Sequence, residues 1–170
     1  MIFSIIIIIA IVGTAIYAIT SFVGIGKATE MALFHQEFQE SVNDVWATSI
    51  TNKIVKFGLP TGIELVCFGS LESNNINQDY SGEFDELRRY SNNLDKQNAN
   101  RFIYPIDKAG DFTFSKVEKI DLSELDTGFE CFEVRNGELK VRLVKGQNDA
   151  LVKLKELWWK IKKDLNLGLI

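Results

Sequence analysis

The sequence predicts an α+β protein: a long N-terminal helix, hydrophobic and then amphipathic, followed by an antiparallel β-rich head. The head carries a helical insertion, and a C-terminal helix closes the chain. Three observations predict this. Residues 1–26, MIFSIIIIIAIVGTAIYAITSFVGIG, contain no charged or amide side chain, so all 19 Lys and Arg and all 23 Asp and Glu lie downstream. Apolar residues then recur every three or four positions as far as Ile50, the period of one helix face. Beyond Ile50 the period falls to two, with turn residues between the runs.

The first 26 residues exceed the roughly 20 apolar residues that a bilayer core needs. Lipid obliges backbone groups to bond within their own segment, so the run is expected to be helical despite its β-branched Ile5 to Ile9. A cleavable secretory signal has a basic start, a shorter apolar stretch and a small-residue cleavage site. None of these is present, and the run reads as an uncleaved membrane or filament-core helix carrying Ile5, Ile8, Val12, Ile16, Ile19, Phe22 and Val23.

From residue 27 to 52 the helix is expected to continue in amphipathic form. Phe34, Phe38, Val42, Val45 and Trp46 pack on the head, while Glu30, Gln36, Glu37, Glu40 and Asp44 face outward. No proline precedes Pro60 to break it. The motif GIGKAT lacks the glycine and the hydroxyl that a phosphate loop requires, because Ser21 and Ala28 stand there. His35 has no ligand set around it and reads as a solvent-edge histidine.

The head is expected over residues 53–153, as a sandwich or as a single sheet laid on the helix. Val55, Phe57 and Leu59 alternate, Pro60-Thr61-Gly62 supplies a turn, and Ile63, Leu65 and Cys67 alternate again, which predicts two antiparallel strands. Residues 69–100 are asparagine-rich and read as an insertion holding one helix, SGEFDELRRYSNNL, capped by Ser81 and showing Phe84, Leu87, Ser91 and Leu94 on a modest face. The strand RFIY follows, with Pro105 suggesting a sheet edge, and then Phe112 and Phe114. FECFEVR and ELKVRLV flank Asn136-Gly137, the dipeptide suited to a two-residue hairpin turn. Ala150, Val152 and Leu154 offer a last strand.

Residues 154–170 form a separate basic amphipathic tail with Trp158, Trp159, Lys160, Lys162 and Lys163. Three readings stand for it: it lies on an anionic membrane, packs its tryptophans on the head, or meets the acidic surface of a neighbouring copy. Cys67 and Cys131 occupy similar strand contexts and are expected to pair as a disulfide, with buried thiols as the other reading.

Composition narrows the function. One histidine and two cysteines disfavour histidine-based metal sites and zinc modules, and a net charge of −4 disfavours a nucleic-acid binder. Asp107, Asp111, Asp121, Glu124 and Asp126 are numerous enough to form a catalytic carboxylate pair but read as solvated loop acids. No enzyme, cofactor or metal is expected.

The uncharged run 2–23, its amphipathic continuation 30–50 and the β-rich region from Lys53 make the chain resemble type IV pilin-like proteins of the archaeal kind. FGLPTGIELVCF, RFIYP and ECFEVRNGELKVRL are similar to segments of small membrane-anchored archaeal extracytoplasmic proteins without an assigned activity. The chain departs from bacterial pilins at Ile5, where those have a glutamate, and it contains no Asn-x-Ser/Thr sequon. The resemblance implies a structural homopolymer: a membrane-inserted precursor, then an extracellular filament whose core buries residues 1–26 of many copies, with a role in cell adhesion. The alternative is a single-pass anchored extracytoplasmic domain that binds a cell-surface partner through residues 69–100.

Overall fold

The computed structural model describes residues 2–91, 98–123, 125 and 127–155. Helix α1 (Ile2–Ala47) opens the chain. It ends where the Thr48 hydroxyl and amide both turn back to the Val45 carbonyl, at 2.7 and 3.2 Å, replacing the next rung of the helical ladder. Strand β1 (Thr51–Gly58) follows, and then β2 (Leu65–Gly69).

A 3-10 turn (Gln78–Tyr80) leads into α2 (Ser81–Tyr90). Next come β3 (Arg101–Tyr104), the short helix α3 (Ile106–Ala109), a second 3-10 turn (Gly110–Phe112), β4 (Phe114–Ser115) and β5 (Ile120–Asp121). The described chain ends with β6 (Phe129–Glu133), β7 (Glu138–Lys145) and β8 (Val152–Lys155).

These strands make two four-stranded sheets, ordered β1-β7-β8-β5 and β4-β3-β2-β6. Alternation explains how both share one core. In β7, Leu139, Val141 and Leu143 are buried, and in β2 every residue is. Val66 and Phe68 of β2, Ile103 of β3 and Phe132 of β6 point into the main core, together with Phe57 and the inward face of β7. The alternate residues Leu65, Cys67, Phe102, Phe129 and Cys131 point the other way, into a second cluster closed by Phe84 and Leu87 of α2. The second sheet therefore lies between α1 and the insertion.

The predicted fold class is corrected in three respects. A membrane-spanning hydrophobic helix was expected, but no helix among the described residues is long and apolar enough to cross a membrane. The amphipathic continuation expected to reach residue 52 stops at Ala47. The head is neither a single sheet nor wholly antiparallel, because β5 and β8 pair in parallel, Ile120 opposite Val152.

Several local expectations change with it. The two strands around Pro60-Thr61-Gly62 form no hairpin: β1 pairs with β7, and β2 with β3 and β6. The Asn136-Gly137 turn forms, with φ of 54° and 72°, but only the Arg135–Glu138 bridge closes it before β6 and β7 part into different sheets. Both connections are thus corners between sheets. They are bonded to each other, Leu59 N–H to the Gly137 carbonyl and Val134 N–H to the Glu64 carbonyl, each at 2.8 Å.

β3 is an inner strand, and Pro105 caps α3 rather than marking a sheet edge. Ser81 makes no side-chain cap to α2; it is Asn77 that caps the preceding 3-10 turn. Val152 and Leu154 form the last strand, β8, so Leu154 follows its strand reading and not its place in the tail. Leu94, Glu124, Asp126 and the remaining tail residues, including Trp158, Trp159, Lys160, Lys162 and Lys163, lie outside the described residues, as do the side chains of Phe22 and Val23.

Candidate functional site

Helix α1 carries two surfaces of different kinds. Its second part holds Met31, Phe34, Phe38, Val42 and Val45, spaced three or four apart and each at most 1% exposed. Phe38 lies 5.1 Å from Phe57 and 5.3 Å from Phe68, ring centre to ring centre, and Phe34 lies 5.7 Å from Phe57. One helix therefore bridges both sheets through aromatic contacts.

Polar contacts fix the helix along its length. The Gln39 amide donates to the Glu118 carbonyl and accepts from the Glu118 N–H, at 3.2 and 2.9 Å. At the C-terminal end the Trp46 indole donates to the Ala150 carbonyl at 3.1 Å. Trp46 is not buried as expected but 40% exposed, because its ring serves as a platform for the Lys119 ammonium, 4.0 Å from its centre. Lys145 donates to the Trp46 carbonyl, where a cation complements the negative end of the helix dipole.

The first part of α1 is the opposite case. Ile5, Ile8, Val12, Ile16 and Ile19 are 57%, 60%, 50%, 58% and 63% exposed. The intervening Ile6, Ile7, Ile9, Ile11 and Tyr17 are also exposed, so the cylinder presents apolar side chains all round. A helix of that kind belongs in an interior, and an apolar surface this continuous marks an interaction site on a folded protein. Where α1 meets the β1–β2 corner there is an open groove of about 760 Å³, lined by Lys27, Glu30, Leu33, Phe34 and Glu37 on one side and Gly58, Leu59 and Thr61 on the other.

Cys67 and Cys131 form a disulfide directly across β2 and β6, both fully buried beneath the insertion. The described loop acids do not gather. Asp107 pairs with its neighbour Lys108 at 2.7 Å, and hydrogen bonds from the Ser123 side chain and then from the Ser123 N–H, the latter at 2.9 Å, hold the Asp121 carboxyl below the usual range. Among the described residues there is no group of three or more His, Cys, Asp or Glu able to hold a metal ion.

Sequence reasoning missed a polar cluster beneath α1. The Arg101 side chain, at the start of β3, is fully buried. Its guanidinium stacks over Phe34 at 4.9 Å and Phe38 at 5.4 Å, its Nε donates to the Ser115 hydroxyl at 2.9 Å, and its Nη2 donates to His35 Nδ1. His35 is therefore a partly buried partner and not a solvent-edge residue. The signal was available, because RFIY alternates: burying Ile103 toward α1 also turns Arg101 toward it.

Compared with protein-family models, characterised proteins and solved structures, the chain matches none.

Proposed function

We propose that this chain is a non-enzymatic, pilin-like structural subunit that associates with its own copies through the first part of α1. The head is carried outward on a homopolymer outside the cell. The observation that supports this is the uncovered apolar cylinder of residues 5–19 on the same helix whose later turns are fixed to the head. Burying apolar surface contributes roughly 25 cal/mol per Å², and identical cylinders are mutually suitable covers because none carries a charge to desolvate. The Cys67–Cys131 disulfide supports an oxidising location.

The test uses the full chain in aqueous buffer without detergent, examined by analytical ultracentrifugation and negative-stain electron microscopy. Regular fibres or a defined large oligomer are expected. The triple variant Ile8→Asp, Val12→Asp, Ile16→Asp places charges along one exposed stripe of the cylinder. It is expected to sediment as a monomer with an unchanged circular dichroism spectrum and an intact disulfide. A monomeric wild-type chain, or amorphous aggregate with no regular order, overturns the proposal.

A further inference from the structure

Arg101 is buried, and no carboxylate is bonded to it among the described residues. Its guanidinium has two aromatic faces, the Ser115 hydroxyl and His35 Nδ1 around it, and Nη1 has no hydrogen-bond partner among the described residues. Burial lowers its pKa to about 10, so it remains a cation at neutral pH. Arginine has only donors to offer, so the His35 nitrogen that meets it must present a lone pair. The ring is then neutral, with its proton on Nε2.

We propose that His35 and Arg101 form an acid-released clasp between α1 and β3. Protonating Nδ1 removes the acceptor, sets a second positive charge against the guanidinium, and leaves both Nη groups of a buried cation unpaired. Among the described residues no carboxylate is bonded to the ring to relieve this. One turn away on α1 stand Met31, Ala32, Phe38 and Gln39, all uncharged. From β3 the ring meets Arg101, and in the loop after β4 Lys116 and Glu118 are paired with each other at 3.0 Å on the surface.

The folded state accordingly lowers the His35 pKa below 6.5, first through burial and then through the Arg101 charge. The unfolded chain binds the proton more readily, so stability rises with pH across this window. The clasp contributes fully above pH 6.5. Its contribution is lost as pH falls from 6.5 through the folded-state value, and is then constant.

His35 is the one histidine in the sequence, so its imidazole signals in the intact protein need no assignment strategy. A ¹⁵N–¹H titration is expected to show the Nε2–H tautomer at pH 7.5 and a midpoint below the ordinary histidine value. The second measurement is the thermal midpoint of wild type and His35→Gln between pH 7.5 and 5. Glutamine can still accept from Arg101 through its side-chain oxygen but does not titrate there. The wild-type midpoint should fall relative to the variant as pH drops, and amides of α1 near residue 35 should lose protection first. A histidine midpoint at or above 6.5, or a constant gap between the two proteins across the range, overturns the clasp. The triple aspartate variant serves as a monomeric host, so this result is independent of self-association.

Discussion

Phe38 shows how much of this molecule depends on single side chains. It is fully buried, touches the rings of Phe34, Phe57 and Phe68, and supports the Arg101 guanidinium. Truncating a buried phenylalanine leaves a cavity at the junction of α1 with both sheets, at a cost of about 3–5 kcal/mol. Phe38→Ala should fall at the upper end, since the charge above it loses a stacking face as well. Leu33→Ala on the same helix removes a side chain that is 51% exposed and should change stability by no more than about 0.5 kcal/mol. Chemical denaturation of both variants checks the contrast, and equal losses would mean that α1 does not sit on the sheets through this face. Helical spacing made Phe34, Phe38, Val42 and Val45 legible from sequence alone. Arg101 was legible only through the alternation of RFIY, and His35 not at all, because a histidine on a helix reads as solvated until the strand that carries its partner is brought against it.

Pairing partners are the least legible property of the elements. Strand content was readable from period-two runs, and so was the turn at Asn136-Gly137, yet the strand on each side of that turn belongs to a different sheet. Turn chemistry fixes φ at two residues; it does not decide whether the strands continue side by side. Here α1 occupies the space between the sheets, and β1 and β6 take the places that hairpin neighbours would have filled. The disulfide acts at this same scale, tying β2 to β6 across a sequence separation of 64. Closing a loop of that length removes unfolded-state freedom equivalent to about 4 kcal/mol. The double variant Cys67→Ala, Cys131→Ala should therefore lower the unfolding free energy by about 4 kcal/mol, measured in urea, with the main-core residues around Phe57 keeping their near-native exchange protection. A loss below about 1 kcal/mol would show that the hydrogen-bonded ladder alone holds these two strands.

For the whole molecule, the decisive contrast is between an uncharged N-terminal cylinder and a charged remainder. The chain has a net charge of −4 and all of its acids and bases lie beyond residue 26. Two forces therefore act on any pair of copies, apolar attraction between first helical parts and repulsion between heads of like charge. They respond to salt in opposite ways from a charge-driven assembly. Raising ionic strength shortens the screening length from about 30 Å at 0.01 M to about 8 Å at 0.15 M, which weakens the repulsion. Apolar burial is not weakened, and sulfate strengthens it. The critical concentration for assembly should accordingly fall as sodium chloride rises from 0.01 to 0.5 M, fall further in sulfate, and rise on cooling toward 4 °C as the hydrophobic driving force fades. If the basic segment beyond Leu154 meeting an acidic head were the force that joins copies, salt would dissolve the assemblies instead, and light scattering across a single salt series distinguishes the two.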